Sequence, residues 1–511
     1  MRSIFRLVFG TILVGAPILS AAISDPVRTD SGQVSGTAGT SDEVRVYKGI
    51  PFAAPPVGDL RWRAPQAPAH WEGVRKADQF SPVCMQQARG PASAGPAPSE
   101  DCLYLNVWTA AKSASERRPV IVWTYGGGFT GGAGSLAMYN GEALAKKGVV
   151  VVTYNYRLGV FGFLAHPELT KESGHNASGN YGLMDMAAVL KWVQKNIANF
   201  GGDPKRVTID GESAGAMLVS AMVGSPEGKG LFQRAIAQSG AWMGVNIGHM
   251  ATLAAAEESG QKLAQGMGAA SLGDLRAKPA DDLLKNARGL FAIVVDGWYV
   301  PEDLSLVYSH HKENDVDILV GSNRDEGTFF ARPGAGNAEQ FSGAAKKRFN
   351  EMADAYLKLY PASSDAEAGV SQLATVRDEF GWQMREWAQL QSARGKGNAY
   401  LYFFTHVPPS APGQPSRGAT HTADLAYMFN NPNPNWTDTD RQLADTMSSY
   451  WVNFAANGDP NGKGLPEWPA YKPKSEKTMV LGDGVAPGSG IDPAMISFYD
   501  SYFAKLNSGG L

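Results

Sequence analysis

Neither sign of charge is in excess in this 511-residue chain. Its 46 lysines and arginines nearly balance 49 aspartates and glutamates, and the formal net charge is -3. The chain therefore lacks the basic footprint of a nucleic-acid-binding protein. It also lacks long apolar segments beyond its N-terminus, and the C-terminal NSGGL is not a hydrophobic tail. We therefore expect no nucleic-acid partner and no stable insertion into a membrane.

The N-terminal segment has the composition of a secretory signal. Arg2 and Arg6 precede an apolar run, and small residues follow the run as far as Ala22. Glycines and a proline interrupt the run, which favours a cleaved signal peptide over a membrane anchor. We expect residues 1–22 to be removed, and the mature chain, residues 23–511, to be secreted or periplasmic.

Cysteine is nearly absent, since Cys84 and Cys102 are the only two in the sequence. An exported protein meets oxidising conditions, so we predict one disulfide that closes the loop between them. Two cysteines without histidines at ligand spacing do not make a zinc site. We expect neither a metal nor a cofactor.

Short runs rich in β-branched and aromatic residues predict buried strands. They are continuously apolar rather than alternating, which is typical of a sheet covered on both faces. Helical patterns such as GLMDMAAVLKWVQKNIANF lie between them, and this alternation predicts an α/β fold with a mostly parallel central sheet. The predicted strands are Val120–Tyr125, Val149–Asn155, Arg206–Asp210, Val316–Gly321 and Tyr400–Thr405.

Two regions, at about 250–310 and 338–395, add further helical patterns to this sheet. In α/β enzymes such insertions usually lie over the carboxyl ends of the strands, where ligands bind. We therefore expect a single domain over residues 23–511, with both insertions above a ligand site.

The stretch TIDGESAGAM surrounds Ser213 with glycines two residues before and two residues after it. In a chain with 59 glycines, such a match alone is about as probable by chance as not. Its context is more specific, because Ser213 follows the predicted strand at 206–210 and precedes a helix start made of small residues. A nucleophilic serine on a sharp strand-to-helix turn requires this arrangement.

A serine nucleophile of this kind takes its acid and its base later in the chain, in the order serine, acid, histidine. The histidines before Ser213 are therefore excluded, and those in or beside the first insertion are expected to be solvated. His406 ends the predicted strand YLYFFTH, where a structural role fits. His421 lies in the loop that follows, from which it could reach the serine, and we favour it as the base.

Three carboxylates are candidates for tuning that histidine. Asp325 and Glu326, in SNRDEGTFF, directly follow the strand at 316–321, and the spacing does not choose between them. Glu212 adjoins the nucleophile, which makes an orienting role towards His421 awkward, although its charge could tune the field of the site.

The stretch YGGGFTGGAGS at 125–135 exposes backbone N–H groups without any Cβ to block approach. It has neither the G-K-[ST] of a phosphate loop nor a G-x-G-x-x-G leading into a helix. We interpret it as part of an oxyanion hole that acts together with the N–H group of Ala214.

In this order the motifs resemble the type-B carboxylesterases, the cholinesterase-like branch of the α/β-hydrolases. The resemblance covers nearly the whole mature chain. The matching segments are GIPFAAPPVGDLRWRAP at 49–65, SEDCLYLNVW at 99–108, YGGGF at 125–129, NYRLGVFGFL at 155–164, GNYGLMDM at 179–186, GESAG at 211–215, QSGAW at 238–242, SNRDEGTFF at 322–330 and YWVNFAANGDPN at 450–461.

The resemblance implies an α/β-hydrolase fold and a catalytic triad. Ser213 would be the nucleophile, Glu326 rather than Asp325 the acid, and His421 the base.

The same resemblance implies an oxyanion hole formed by Gly127, Gly128 and Ala214. It also supports a Cys84–Cys102 bridge and identifies Ser239 with a family serine that supports the triad.

Departures from the family concern the substrate. The loop between the cysteines lacks the tryptophan that stacks on choline in cholinesterases, so choline esters are not expected substrates. The acyl-pocket aromatics of cholinesterases fall at Ala287 and Gly289, which leaves room for a bulky acyl group. Phe329 and Phe330 keep the aromatic pair that flanks the family's site, and we expect Trp242 to line the pocket.

The sequence therefore predicts a serine hydrolase that cleaves small-molecule carboxylic esters through an acyl-enzyme intermediate. The same triad would also serve hydrolysis of a carbamate, amide or lactone bond. A non-catalytic binding module is the remaining alternative, but such relatives usually lack a triad residue, and here all three are present.

Overall fold

The computed structural model describes residues 23–87, 96–244, 250–287, 289, 291–330, 337–394 and 396–508. The predicted signal peptide, residues 1–22, lies outside this part of the chain. The strands, numbered in chain order, are β1 (Val27–Arg28), β2 (Gln33–Ser35), β3 (Thr37–Ala38), β4 (Arg45–Pro51), β5 (Val74–Lys76), β6 (Val83–Cys84), β7 (Pro98–Ser99), β8 (Tyr104–Thr109), β9 (Arg118–Thr124), β10 (Val150–Tyr154), β11 (Gly202–Glu212), β12 (Arg234–Gln238), β13 (Asp317–Asn323), β14 (Ala399–Phe404), β15 (Thr478–Leu481) and β16 (Val485–Gly488).

The α-helices follow the same numbering. They are α1 (Glu142–Lys146), α2 (Gly159–Phe163), α3 (Pro167–Glu172), α4 (Tyr181–Asn196), α5 (Ala214–Gly224), α6 (Leu253–Gly266), α7 (Leu272–Arg276), α8 (Ala280–Asn286), α9 (Leu304–Ser309), α10 (Gly327–Phe330), α11 (Ala338–Phe349), α12 (Ala353–Leu359), α13 (Asp365–Arg394), α14 (Leu425–Met428), α15 (Asp438–Asn457) and α16 (Pro493–Asn507).

An 11-stranded sheet forms the centre of the described structure, in the order β3-β4-β8-β10-β9-β11-β12-β13-β14-β15-β16. All neighbouring pairs from β10 to β15 are parallel, and the pairs at the two edges are antiparallel. Every residue of β10 and of β14 is buried. Because successive side chains point to opposite faces, both faces of the sheet are covered there. The prediction of a mostly parallel, doubly covered sheet is confirmed.

Each of the five predicted strands is present. The largest difference is in β11, which begins at Gly202 rather than at Arg206 and changes register between Gly202 and Val207. The strand therefore includes Gly202 and Pro204, which precede the predicted start. Its last residue is Glu212, so the strand delivers the next residue, Ser213, to the carboxyl edge of the sheet.

The two inserted regions are helical in part. The first contains α6 to α9, and the described residues between α8 and α9 are not helical. The second contains α11 to α13, and α13 packs against β13 and β14. The pattern KKRFNEMADAYLKLY is interrupted where Asn350 takes a φ of 48° at the end of α11.

A disulfide joins Cys84 to Cys102, as predicted. Both residues are buried, at 1% exposure each, and β6 and β7 pair within the loop that the bond closes. The bond fixes the base of this loop against the sheet, since Cys102 lies just before β8.

Candidate active site

Ser213 occupies the turn between β11 and α5. Its backbone has φ 56° and ψ -125°, a combination that residues other than glycine rarely adopt. The Ser213 amide donates a hydrogen bond of 2.8 Å to the Gln238 carbonyl at the end of β12. The turn is therefore held against the carboxyl edge of the sheet, where the strained backbone presents the serine as a nucleophile elbow does.

The glycines around Ser213 are explained by close backbone packing. A Cβ at position 215 would lie 2.1 Å from the Thr124 carbonyl oxygen at the end of β9, and one at position 211 would lie 2.6 Å from the Gly215 backbone. A Cβ at position 240 would lie 2.4 Å from the Ser213 carbonyl oxygen. Any side chain at these positions would push the serine turn away from the sheet.

The glycine loop after β9 packs against the same turn. A Cβ at position 126 would lie 2.6 Å from Glu212 Oε2 and 2.8 Å from Ser213 Cβ. Gly127 and Gly128 take φ values of 109° and 63°, which suit glycine. Ala214 is the first residue of α5, where backbone N–H groups have no partner within the helix. These amide groups can stabilise a developing oxyanion next to Ser213.

Glu326 and His421 are in direct contact. Glu326 Oε2 lies 2.5 Å from His421 Nδ1, and both residues are buried, at 0% and 1% exposure. Glu326 Oε1 accepts hydrogen bonds from Ser239 Oγ at 2.5 Å and from the Asn323 amide at 2.8 Å. The carboxylate is thus fixed by groups from the ends of β12 and β13, and it fixes the imidazole in turn.

Glu212 contacts the other nitrogen of the same imidazole, since its Oε1 lies 3.0 Å from His421 Nε2. Neither atom has an aligned hydrogen bond to any described residue. The sequence led us to expect that Glu212 tunes the field of the site rather than orients His421. Its contact is with Nε2, whereas Glu326 contacts Nδ1.

The two carboxylates beside His421 change the pKa values of the groups in the site. Burial alone would lower the pKa of His421, but the carboxylates of Glu212 and Glu326 raise it well above the ordinary range of imidazole. Burial likewise raises the pKa of Glu212, while the nearby His421 opposes that rise. The two carboxylates therefore favour the protonated form of His421, which is the form a general base acquires during catalysis.

Asp325 and His406, the alternatives to Glu326 as the acid and to His421 as the base, contact other groups. The Asp325 carboxylate accepts a hydrogen bond of 2.7 Å from the Ala419 amide, in the loop that carries His421. His406 is clamped between two carboxylates, with Nδ1 2.6 Å from Asp483 and Nε2 2.8 Å from Asp440. His406 thus links the end of β14 to α15, which agrees with a structural role.

Three phenylalanine rings surround the imidazole of His421. The ring centres of Phe329 and Phe330 lie 5.3 Å and 5.1 Å from that of His421, and both side chains remain 47% exposed. The third ring is Phe380 of α13, at 5.4 Å, and it stacks on Phe330. Sequence reasoning missed Phe380, because nothing in a helical pattern of the second insertion tells which turn reaches the site.

A cavity of about 580 Å³ opens beside Trp242. Trp242 and Gly289 line it, whereas Ala287 is not among its described lining residues, although the adjacent Asn286 is. The Trp242 ring stacks on Phe129, the residue that follows Gly127 and Gly128, with ring centres 6.4 Å apart. Of the predicted pocket residues, Trp242 and Gly289 therefore line this cavity and Phe329 and Phe330 flank the imidazole, whereas Ala287 does neither.

Comparisons with known proteins agree with this geometry. A model of the carboxylesterase family matches residues 24–488. Fumonisin B1 esterase of Sphingopyxis macrogoltabida is 38% identical, over 94% of this chain and 92% of that protein. Para-nitrobenzyl esterase of Bacillus subtilis (strain 168) is 36% identical, over 89% of this chain and 94% of that protein. A solved PNB esterase structure matches with a TM-score of 0.80 and 35% identity, covering 94% of this chain and 99% of that one. The fold is therefore that of the α/β-hydrolases.

Proposed function

Since this chain belongs to the carboxylesterase family and is an ester hydrolase, we propose that it acts through a triad of Ser213, His421 and Glu326. The substrate is a small-molecule carboxylic ester, and the reaction passes through an acyl-enzyme. The observation that carries this proposal is the imidazole of His421, held by Glu326 on Nδ1 and left without an aligned partner on Nε2 among the described residues.

In the first half of the reaction, Ser213 Oγ attacks the carbonyl carbon of the ester while His421 Nε2 takes the hydroxyl proton. Glu326, on Nδ1, holds the ring in the tautomer that leaves Nε2 unprotonated and stabilises the imidazolium that forms. Glu212, at 3.0 Å from Nε2, adds a second negative charge beside that imidazolium. The chemistry thus develops positive charge where the protein has placed two carboxylates.

The negative charge develops at the opposite end of the reacting carbonyl. The amide groups of Gly127, Gly128 and Ala214 donate to this oxyanion, and losing one such donor typically costs ~3–4 kcal/mol of transition-state stabilisation. The tetrahedral intermediate collapses as His421 returns its proton to the leaving alcohol, which leaves the acyl group on Ser213 Oγ. Water then attacks the acyl-enzyme by the same steps and releases the carboxylic acid.

The cavity beside Trp242 supports a substrate with an extended apolar acyl group. Its described lining is largely apolar and includes Trp242, whose ring stacks on Phe129, the residue next to Gly128 of the glycine loop. Burying one methylene contributes ~0.8 kcal/mol, so kcat/KM should rise by up to about fourfold for each methylene that enters. A series of p-nitrophenyl esters from acetate to laurate measures this. Fastest hydrolysis of acetate would contradict an open acyl pocket.

Hydrolysis of the same esters by Ser213→Ala tests the proposed nucleophile. We expect the variant to fold and to lose activity by several orders of magnitude, because no other group supplies the attacking oxygen. Ser115→Ala, a change at an exposed serine, is the matched control and should leave activity unchanged. Full activity in Ser213→Ala would overturn the proposed mechanism.

We also propose that the protein is secreted or periplasmic. The Cys84–Cys102 disulfide is typical of oxidising compartments. Within the described residues, no helix combines the length and the apolar character needed to cross a bilayer. N-terminal sequencing of the mature protein tests the proposal, which predicts a start near residue 23.

A further inference from the structure

The loop that carries His421 is fastened to the turn that carries Glu326. We call residues 417–421 the His421 loop and residues 323–328 the acid turn. The Asp325 amide donates to the Ala419 carbonyl at 2.9 Å, and the Ala419 amide donates to Asp325 Oδ2 at 2.7 Å. Asp325 therefore binds both backbone groups of Ala419, one through its own amide and one through its carboxylate.

Two further side chains of the acid turn bind the same loop. Thr328 Oγ1 donates to the Arg417 carbonyl at 2.8 Å, and Asn323 Nδ2 donates to the Thr420 carbonyl at 2.9 Å. The backbone at position 418 is adapted to this contact, because a Cβ there would lie 2.3 Å from Asp325 Oδ2. Contacts from the acid turn thus reach three residues in the stretch directly before His421.

Asp325 is the charged member of this set. Its Oδ2 atom accepts from the Ala419 amide and also pairs with Arg324, whose Nη2 lies 3.0 Å away. Hydrogen bonds to a charged acceptor are stronger than neutral ones, so this atom contributes most to holding the loop. The adjacent residue, Glu326, contacts the imidazole itself at 2.5 Å. One turn therefore sets both the position of the histidine backbone and the orientation of its ring.

From this geometry we infer that Asp325 is a positioning residue for the reaction: it fixes the His421 loop so that His421 Nδ1 meets Glu326. The inference rests on the proposed triad and adds a role for the carboxylate that does not touch the imidazole. Without the Asp325 carboxylate, the loop would relax away from the acid turn, and the contact between His421 and Glu326 would lengthen.

The test compares Asp325→Ala with Asp325→Asn in the full chain, using a p-nitrophenyl ester. Misplacement of a catalytic group by about 1 Å can cost ~100-fold, so we expect kcat to fall ~10–100-fold in the alanine variant with KM nearly unchanged. Asparagine keeps an acceptor for the Ala419 amide, so it should recover most of the lost kcat. Asp42→Ala, a change at an exposed aspartate outside the acid turn, is the matched control and should stay within about twofold.

A second readout separates positioning from a loss of stability. Weaker contact with Glu326 lowers the pKa of His421, so the acid limb of kcat/KM should move to lower pH in Asp325→Ala. The downfield proton resonance of His421 Nδ1–H should weaken as well. Unchanged kcat and an unchanged acid limb in a folded alanine variant would overturn the inference. If alanine does not fold, Gly418→Ala perturbs the same contact, because its Cβ would lie 2.3 Å from Asp325 Oδ2. Wild-type kcat and a wild-type acid limb in that variant would then overturn the inference.

Ser213→Ala is assayed alongside, so that failure of the positioning role of Asp325 can be distinguished from failure of the proposed triad. Loss of activity in Ser213→Ala together with wild-type kinetics in Asp325→Ala would overturn only the positioning role. Activity that survives in Ser213→Ala would overturn the triad and, with it, the role given to Asp325.

Discussion

Glu212 Oε1 lies 3.0 Å from His421 Nε2, and Glu326 Oε2 lies 2.5 Å from Nδ1 of the same ring. A single imidazole thus has a buried carboxylate at each of its nitrogens. Glu326 comes from the acid turn after β13, whereas Glu212 is the last residue of β11 and adjoins Ser213. In the proposed mechanism both carboxylates stabilise the imidazolium, and Glu326 orients the ring, because its contact is with Nδ1.

Removing the charge at Glu212 should shift the pH dependence of the reaction. The base must be neutral to take a proton, and the two carboxylates raise the pKa of His421, so activity is lost on acidification at a higher pH than for an ordinary histidine. In Glu212→Gln the pKa of His421 falls, and the acid limb of kcat/KM moves to lower pH. We also expect kcat to fall by about tenfold, or ~1.4 kcal/mol, because the imidazolium loses stabilisation.

Steady-state kinetics between pH 5 and pH 9, roughly the range in which histidine titrates, check this prediction. Glu467→Gln, a change at an exposed glutamate, should leave the profile unchanged. An acid limb in Glu212→Gln at the wild-type position would contradict the electrostatic role of Glu212.

Ser239→Ala should weaken the support of the catalytic acid. Ser239 Oγ donates to Glu326 Oε1, both residues are fully buried, and a hydrogen bond to a buried charged group contributes ~1.5–3 kcal/mol. We expect a loss of stability of about that size and a reduced kcat. Thermal unfolding and kinetics measure the two effects. Ser448→Ala, which removes another buried serine hydroxyl but one bonded within α15, should lower stability alone.

Gly215→Ala should be among the most damaging single changes in the chain. The new methyl would lie 2.1 Å from the Thr124 carbonyl oxygen, which is backbone and cannot move aside, so β9 and α5 would have to separate. Overpacking of this kind typically costs ~1–3 kcal/mol or more. We expect activity to fall by more than the lost stability accounts for, because the separation of β9 from α5 displaces Ser213.

Gly343→Ala is the matched control for that change. Gly343 lies inside α11, and a Cβ there meets nothing within 4 Å. Alanine is the better helix former by ~0.5–1 kcal/mol, so this variant should be slightly more stable and fully active. Equal effects of the two substitutions on activity would contradict the account of the serine turn.

Asp210 makes the stability of the folded protein depend on pH. It is fully buried in β11 without a side-chain partner among the described residues, and burial raises its pKa well above the ordinary range of aspartate, with the charge of Asp424 adding to the rise. The folded state therefore holds the Asp210 proton more tightly than the unfolded state. Its contribution to stability is complete below about pH 3.9 and is lost as pH rises through the folded pKa.

Asp210→Asn removes this dependence while keeping the size of the side chain. We expect the melting temperature of the variant to exceed that of the wild type by an amount that grows as the pH rises from about 4. Differential scanning calorimetry of both proteins across that range measures the difference. A constant difference at every pH would show that Asp210 does not titrate with folding.

The local sequence pattern was sufficient to predict several strands of the central sheet. Continuous apolar runs predicted β9, β10, β13 and β14 to within two residues, because a strand covered on both faces leaves no polar position. The start of β11 was wrong, since a register change lets Gly202 and the residues after it join the sheet. The disulfide was predictable because two cysteines allow one pairing.

Features that depend on how distant elements pack were not predictable in this way. Nothing in the sequence around Phe380 shows that this turn of α13 stacks beside His421. The contact of Glu212 with His421 Nε2 likewise joins the end of β11 to a loop far away in the chain, which no local pattern specifies. The spacing of Asp325 and Glu326 left the acid open, and the choice of Glu326 came from the family resemblance. The fold then shows Asp325 bound to the loop and Glu326 bound to the ring.

The most direct test of the proposed mechanism is to trap the acyl-enzyme. A p-nitrophenyl ester is mixed with the enzyme, the reaction is quenched with acid in the burst phase, and intact mass and peptide mapping locate the added acyl group. The proposed mechanism predicts one acyl group per chain, on the peptide that contains Ser213, and none in Ser213→Ala. An adduct on another residue, or full turnover without any adduct on Ser213, would contradict it.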